Sequence, residues 1–211
     1  MTRATQSGTS WRVVDIVTAA VLGVAVGVIF VIWNQVGYAG FNALDAVLPG
    51  IGGLVSGIWF MGGPLGALVI RKPGAAIFVE TLAAIVSMAI GSQWGVETMV
   101  AGLLQGAAAE LAFAIFRYRR FGPGVAALSG GFAAVAARLL EGVTHGNFAK
   151  SFVFQVTYWS CSIVSGVLLA GLLSWFMSRT HSTFQLTLVL VGLCVFGSMF
   201  ITNDVSLLTF V

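Results

Sequence analysis

The sequence predicts an all-α integral membrane protein, a bundle of six transmembrane helices. Of its 211 residues, 58% are hydrophobic and only 8% are charged, and the mean hydropathy is +1.00. A soluble domain carries about 25% charged residues, so the charges here are too few to cover a water-facing surface. The 27 glycines fit the same class, because small residues let membrane helices approach one another closely.

Six apolar segments are long enough to cross a bilayer, which takes about 20 residues of helix. They cover residues 13–33, 48–70, 73–92, 96–116, 124–143 and 152–177. Breaks between them are explicit. Asp45 and Pro49 precede the second segment, and Arg-Lys-Pro at 71–73 separates it from the third. Gly-Ser-Gln-Trp-Gly at 91–95 follows the third, and Phe-Gly-Pro-Gly at 121–124 precedes the fifth.

The six segments are expected to form one domain over 11–178, with no soluble module. Residues 1–10 are small and polar and are expected to be a disordered cytoplasmic N-terminus. A hydrophobic tail follows over 179–211. Its apolar stretch at 184–201 is near the short limit for a span. This stretch either crosses the membrane as an extra C-terminal helix or lies against the bundle.

The basic residues predict the orientation. With the N-terminus inside, eight Lys and Arg residues fall on the cytoplasmic side, and only Arg138 and Lys150 fall outside. The chain is therefore expected to be a multi-pass protein of the cell membrane with a cytoplasmic N-terminus. Because the basic residues flank the apolar segments, the net charge of +3 is a topology signal within a lipid bilayer and does not indicate nucleic-acid binding.

Two acids, Glu80 and Glu110, fall inside predicted membrane helices. Glu80 lies eight residues after Lys72 and Glu110 seven before Arg117, which places both about 10–12 Å from the cytoplasmic basic residues. An acid at membrane depth costs roughly 2.5–3.5 kcal/mol and by default marks a functional site. We therefore expect the two carboxylates to face one cavity. The alternative is a hydrogen bond between packed helices with one or both acids protonated.

Amide and aromatic residues gather toward the outer half of the predicted bundle. They are Trp33 and Asn34 at the end of the first helix, Gln93 and Trp94 between the third and fourth, and Tyr158 early in the sixth. All five are predicted to contribute to a substrate-binding site, and for most of them the alternative is the aromatic belt at the membrane interface. Trp59 in the second helix is too deep for such a belt, and Trp94 lies in a tight turn, so these two are stronger candidates for a ligand site.

The motifs of several function classes are missing. Without GxxxxGK[ST], the chain cannot itself hydrolyse ATP to drive transport. It has no HExxH, and His145 and His181 are predicted on opposite sides of the membrane, which argues against a nucleophile–His–acid set. Cys161 and Cys194 lie in apolar runs without metal-ligand spacing. The sequence therefore predicts no enzyme, no cofactor and no metal site.

Several motifs with unusual polar residues occur in a recognisable order. They are Trp-Arg-Val-Val-Asp at 11–15, Gly-Ile-Trp-Phe at 57–60, Arg-Lys-Pro-Gly-Ala at 71–75 with Glu80, Gly-Ser-Gln-Trp-Gly at 91–95, and Gly-Ala-Ala-Ala-Glu at 106–110 followed by Phe113 and Tyr118. In these motifs the chain resembles the YkoE family over about residues 11–178. That family supplies substrate-binding S components of energy-coupling factor (ECF) vitamin importers.

The resemblance implies six helices and a high-affinity site for thiamine or its hydroxymethylpyrimidine precursor. It implies as partners a transmembrane coupling protein and cytoplasmic ATPase subunits. In ECF systems, small residues on the first helix contact the coupling protein. Ala19, Gly23 and Gly27 form such a small-residue ridge here, so the ridge is a docking candidate.

Chemistry favours a cationic ligand independently of the resemblance. The thiazolium of thiamine is a permanent cation, which carboxylates attract strongly in a low dielectric. Aromatic walls add cation–π attraction, worth about 2 kcal/mol when desolvated. The main hypothesis is a subunit that binds a cationic vitamin, with Glu80 and Glu110 as acidic ligands and Trp59, Trp94 and Tyr158 as stacking walls.

Two other functions remain open at this point. A stand-alone secondary transporter would use the same acids as proton carriers. No inverted repeat with paired broken helices is visible in the sequence, which weakens this alternative. A non-transporting scaffold would use the glycine ridges for assembly, and both acids would then be replaceable without loss of function.

Overall fold

The computed structural model describes residues 10–179, which form helices joined by short turns. The elements are α1 (Val13–Val47), a 3₁₀ helix (Ile51–Phe60), α2 (Gly62–Ile70), α3 (Ala75–Gly91), α4 (Val96–Ile115), α5 (Pro123–Thr144), a short 3₁₀ turn (Asn147–Ala149), α6 (Phe152–Ser165), a π-helical segment (Gly166–Leu172) and α7 (Leu173–Arg179). The N-terminus over residues 1–9 and the apolar stretch at 184–201 lie outside the described residues, so the predictions made for them stay predictions.

The predicted all-α membrane bundle is confirmed. Five spans within residues 10–179 are long and apolar enough to cross a membrane: Val13–Val47, Ile51–Ile70, Val96–Ile115, Pro123–Thr144 and Phe152–Arg179. The sixth, α3, is apolar but has only 17 residues. Each of the six segments predicted from the sequence falls on one of these spans.

Helix α1 is longer than its apolar segment. Its 35 residues span about 52 Å, well beyond the hydrocarbon core of a bilayer, whereas the sequence predicted an end near residue 33. The helix ends at Val47, because Pro49 disfavours a helical backbone at the residue before it. Leu48 is accordingly extended, with φ −148° and ψ 116°. Of the polar residues near and beyond the predicted end, Asn34, Tyr38 and Asp45 line a cavity of the bundle, whereas Gln35 and Asn42 are exposed.

The second span is a broken helix. Its first half is the 3₁₀ helix, and α2 begins after Met61 with Gly62, Gly63 and Pro64, all buried. The N–H groups of a helix's first turn have no partner within the helix, so a break here exposes backbone donors inside the bundle. One of those donors, the N–H of Gly63, donates a hydrogen bond to Glu80.

The small-residue ridge of α1 packs inside the bundle. Ala19 is fully buried, and a Cβ on Gly23 would stand 2.8 Å from the Leu82 side chain. A Cβ on Gly27 would stand 2.7 Å from Cβ of Val86. The ridge therefore lets α1 approach α3 closely, and in this structure it is covered by α3 and is not presented at the surface.

The bundle core lies around the joint of the second span. Phe60, Leu65, Val79 and Phe113 are almost completely buried there, on four different elements. Phe60, at the end of the 3₁₀ helix, also forms part of the wall of a cavity. The packed core therefore borders directly on the open part of the bundle.

Candidate substrate-binding cavity

A cavity of about 310 Å³ lies between α1, the 3₁₀ helix and α3 to α6. Aromatic side chains from several elements form much of its wall. Among them are Phe30, Tyr38, Trp59, Phe60, Trp94 and Tyr158. Ligand pockets in proteins typically measure about 300–1,000 Å³, so this one suits a small organic molecule.

Glu80 of α3 reaches this cavity from a fully buried position, with 1% of its surface exposed. Its Oε2 accepts a hydrogen bond of 2.5 Å from the backbone N–H of Gly63, at the start of α2. Its Oε1 is buried and has no hydrogen-bond partner among the described residues. One carboxylate oxygen is thus held by the protein, and the other has no partner in the described part of the chain.

Trp59 is oriented by an amide. Its Nε1 donates to Oδ1 of Asn34 at 2.8 Å, and Nδ2 of Asn34 donates to Oγ of Ser87 at 3.0 Å. The three side chains line the cavity from the 3₁₀ helix, α1 and α3. Both ends of the Asn34 amide are therefore engaged, and its oxygen holds the Trp59 indole.

Trp94 joins two aromatic rings into one wall. Its ring stands edge-on to Trp59, with centroids 5.7 Å apart, and edge-on to Tyr38 at 5.5 Å. The tight turn between α3 and α4 holds Trp94 in this place, with Gly95 in a positive-φ conformation next to it. Electron-rich faces grouped in this way suit a flat or cationic ligand.

A polar cluster on α5 and α6 forms another part of the wall. Nη2 of Arg138 donates to Oε1 of Glu141 at 2.6 Å, and the hydroxyl of Tyr158 donates to Oε2 of Glu141 at 2.6 Å. The guanidinium carbon of Arg138 lies 4.2 Å from the centre of the Tyr158 ring. Glu141 therefore fixes both an aromatic and a basic side chain at the cavity.

The charged lining is acidic overall. Four carboxylates line the cavity against two basic side chains, a formal excess of two negative charges when His145 is neutral; they are Asp45, Glu80, Glu97 and Glu141 against Arg138 and Lys150. Backbone N–H groups of Gly50 and Gly52 donate to Oδ1 of Asp45. Glu97 accepts from the hydroxyl of Thr144 at 2.6 Å.

Known proteins are similar to this chain in sequence and fold. A family model described as ABC-type cobalt transport system, permease component, matches residues 14–136. The "Putative HMP/thiamine permease protein YkoE" of Bacillus subtilis (strain 168) is 32% identical over 166 residues, or 78% of this chain and 81% of the relative. The chain belongs to this permease-component family, that of YkoE.

The same family membership is visible in three dimensions. A solved structure described as an S-component of ECF transporter superimposes with a TM-score of 0.76 at 29% identity, covering 93% of this chain and 97% of the other. The YkoE-family chain is thus a multi-pass membrane protein of the S-component type, and its relatives are transporter components. Among its described residues, no group of three or more His, Cys, Asp or Glu is placed to hold a metal ion.

In this YkoE-family chain the two predicted acids are not brought together. Glu80 lines the cavity, whereas Glu110 is absent from its lining. Both oxygens of Glu110 accept backbone hydrogen bonds at the start of α3, from Gly74 N–H at 2.7 Å and Ala76 N–H at 2.8 Å. Such bonds satisfy the orphan donors of a helix N-terminus. The contacts of Glu110 are those of a helix cap.

The other predicted site residues divide in the same way. Asn34, Trp59, Trp94 and Tyr158 line the cavity. Two do not: Trp33 donates its Nε1 to the carbonyl of Val55 at 3.0 Å, and Gln93 is exposed. The predicted aromatic and amide set is therefore partly assembled, with four of its members in the lining of the same cavity as Glu80.

Sequence reasoning missed several lining residues of this YkoE-family site. In the sequence, Asp45 marks only a break between segments, Arg138 counts as an outer basic residue, and neither Gln105 nor Glu141 is predicted to belong to a site. A usable signal existed, because Gln105, Arg138 and Glu141 all fall inside predicted membrane segments. Polar groups at such depth are expensive unless they face a cavity or a partner.

Proposed function

We propose that this chain is the substrate-binding subunit of an ATP-driven ECF importer for thiamine or its hydroxymethylpyrimidine precursor. The observation that carries the proposal is the unpartnered Oε1 of Glu80 at an aromatic-walled, acidic cavity. The Bacillus relative, whose name refers to HMP and thiamine, supports the choice of substrate. Glu80 acts as the acidic ligand, and Glu110 acts as the cap of α3.

Electrostatics supports a cation in this cavity. The lining carries a formal excess of two negative charges, and a thiazolium is a permanent positive charge that needs no proton. Away from bulk water, such attraction is much stronger than at a surface. Trp59 and Trp94 add ring faces on which the cation gains about 2 kcal/mol when desolvated. An organic cation uses both features at once.

Topology supports capture from outside the cell. The lining includes Trp94 from the α3–α4 turn, Glu97 from the first turn of α4, and His145 and Lys150 from the α5–α6 connection. With the N-terminus in the cytoplasm, as the basic residues indicate, both connections face outward. The chain receives the vitamin there, and a membrane coupling protein with cytoplasmic ATPase subunits drives its transport.

The test is a binding titration of the purified chain in detergent. Thiamine and hydroxymethylpyrimidine are added separately, and the quenching of tryptophan fluorescence is followed. We expect saturable quenching by at least one of them, because Trp59 and Trp94 form the wall. Absence of saturable binding by both ligands would overturn the proposed substrate class.

Reconstitution in liposomes tests the mode of transport. The chain alone is expected to give no net uptake of thiamine under a proton gradient, and uptake is expected only with coupling and ATPase subunits and ATP. Gradient-driven uptake by the chain alone would instead establish a secondary transporter.

A further inference from the structure

Arg138 holds hydrogen-bond donors that the protein does not use. Its side chain is 2% exposed, and Nη2 is engaged with Glu141 at 2.6 Å. Nε and Nη1 are buried and have no hydrogen-bond partner among the described residues. A buried donor without a partner is destabilising, more so on a charged group. Arg138 lines the cavity, so a molecule bound there is placed to satisfy it.

The two donors are spare because Glu141 is shared. An arginine and a carboxylate commonly pair through two parallel hydrogen bonds. Here the second oxygen of Glu141 is taken by the Tyr158 hydroxyl at 2.6 Å, so Arg138 pairs through Nη2 alone. Tyr158 thus keeps part of the guanidinium fork free.

Aromatic rings flank this fork. The guanidinium carbon lies 4.2 Å from the ring centre of Tyr158 and 5.9 Å from that of Phe60, and both rings line the cavity. Phe60 is three residues from Gly63, whose N–H holds Glu80. Arg138 and Glu80, which both hold unpartnered polar atoms, therefore line the same cavity.

The acceptor that suits Arg138 is uncharged. Glu141 already neutralises the guanidinium, and the lining as a whole is acidic, so a phosphate or carboxylate would meet net repulsion. A ring nitrogen in a flat heterocycle meets both requirements, because it accepts a hydrogen bond and packs against aromatic rings.

We infer that Arg138 is a specificity-determining residue of the cavity and donates a hydrogen bond to a ring nitrogen of the pyrimidine half of the substrate. This inference rests on the proposed function. In this inference each residue binds one half of the ligand. Glu80 attracts the cationic half, which only thiamine has. Arg138 donates a hydrogen bond to the pyrimidine, which thiamine and hydroxymethylpyrimidine share.

Two variants test the inference. Arg138→Lys keeps the positive charge beside Glu141 but removes the planar fork. Tyr158→Phe keeps the aromatic ring and frees an oxygen of Glu141 for a second bond to Arg138, which withdraws one of the two spare donors without touching the arginine. Thermal melting and size-exclusion profiles establish whether each variant is folded. If Arg138→Lys does not fold, Tyr158→Phe still tests the inference.

The titration uses thiamine, hydroxymethylpyrimidine and an analogue of the latter in which C–H replaces the ring nitrogens. A lost hydrogen bond to a charged donor corresponds to about a tenfold to hundredfold weaker Kd. We expect Arg138→Lys to lose this factor for thiamine and for hydroxymethylpyrimidine alike, and Tyr158→Phe to lose part of it for both. The wild-type chain is expected to lose the same factor with the analogue, and the variants little further.

Other results are equally decisive. An unchanged Kd in both variants means that ordered water alone satisfies Arg138, and it overturns the inference while the proposed function stands. The same holds if the variants bind weakly but keep the full penalty for the analogue, since Arg138 then acts only on structure. If the wild-type chain binds neither vitamin compound, the proposed function fails and the inference fails with it.

Discussion

Glu80 and Gly63 join the cavity to the break in the second span. The carboxylate accepts a 2.5 Å hydrogen bond from the Gly63 N–H, the first turn of α2 supplies that donor, and a Cβ on Gly63 would stand 2.8 Å from Cβ of Ala109. The acid therefore does two things at once. It satisfies a backbone group that the helix break leaves unpaired, and it lines the cavity with its other oxygen unpartnered among the described residues.

The first prediction concerns the charge of Glu80. Glu80→Gln keeps an oxygen for Gly63 but removes the negative charge, so thiamine binding is expected to weaken by about 2 kcal/mol or more, roughly thirtyfold in Kd. A neutral thiamine isostere, with carbon in place of the thiazolium nitrogen, is expected to lose much less. Fluorescence titration of both ligands measures the difference.

Glu110→Gln is the matched control, since it alters the other membrane-embedded acid. It weakens the cap of α3 and is expected to lower stability by about 0.5–2 kcal/mol while leaving the Kd for thiamine unchanged. A loss of thiamine affinity in folded Glu110→Gln as large as in Glu80→Gln would reinstate the two-acid site predicted from the sequence.

The contrast between these acids shows what the sequence can and cannot determine. Counting from Lys72 and Arg117 gives the depth of a residue, because the helical rise is constant. The rotation of a helix about its axis needs an amphipathic pattern, and α3 and α4 are apolar on most faces. In the structure, Glu110 faces the start of α3. The spacing of residues along the sequence could not predict this orientation.

For the small-residue ridge, too, the sequence predicted close packing but did not determine the packing partner. Small residues at spacing four predict that some helix approaches closely, but not which one. In the structure that helix is α3 of the same chain. The composition and the breaks between apolar segments, by contrast, were sufficient to predict the membrane class and the positions of all six spans, since both depend only on local sequence.

The second prediction tests this placement of the ridge. Gly27→Ala adds a methyl group where Val86 and the carbonyl of Ala83 already stand, so the isolated chain is expected to lose about 1–3 kcal/mol of stability. Thermal unfolding in detergent measures it. Val21→Leu, on the exposed face of α1, is the control and should change little. An unaltered melting temperature with lost binding of a coupling protein would show that the ridge is a docking surface.

The third prediction concerns Asn34 as a positioning residue. Asn34→Ala leaves the Trp59 N–H and the Ser87 hydroxyl without their partner, which costs about 1–3 kcal/mol per buried group. Thiamine affinity is expected to fall as the indole loses its orientation. In a Trp59→Phe background, which lacks that N–H, the same change should cost less affinity. Additive effects of the two changes would argue that Asn34 contacts the ligand independently of Trp59.

The fourth prediction separates cation–π attraction from apolar contact at Trp94. This ring touches both Trp59 and Tyr38 edge-on, so it sets the arrangement of the whole wall. Trp94→Leu keeps an apolar side chain but removes the electron-rich face, and the loss for a desolvated cation is about 2 kcal/mol, roughly thirtyfold in Kd. Trp94→Phe retains a weaker face, and its Kd for thiamine should lie between those of Trp94→Leu and the wild-type chain.

The Kd of the neutral isostere should differ far less among the three chains than the Kd of thiamine does. Equal losses for the charged and neutral ligands would mean that Trp94 contributes packing alone, and the preference for a cation would then rest on Glu80 and the other carboxylates of the lining.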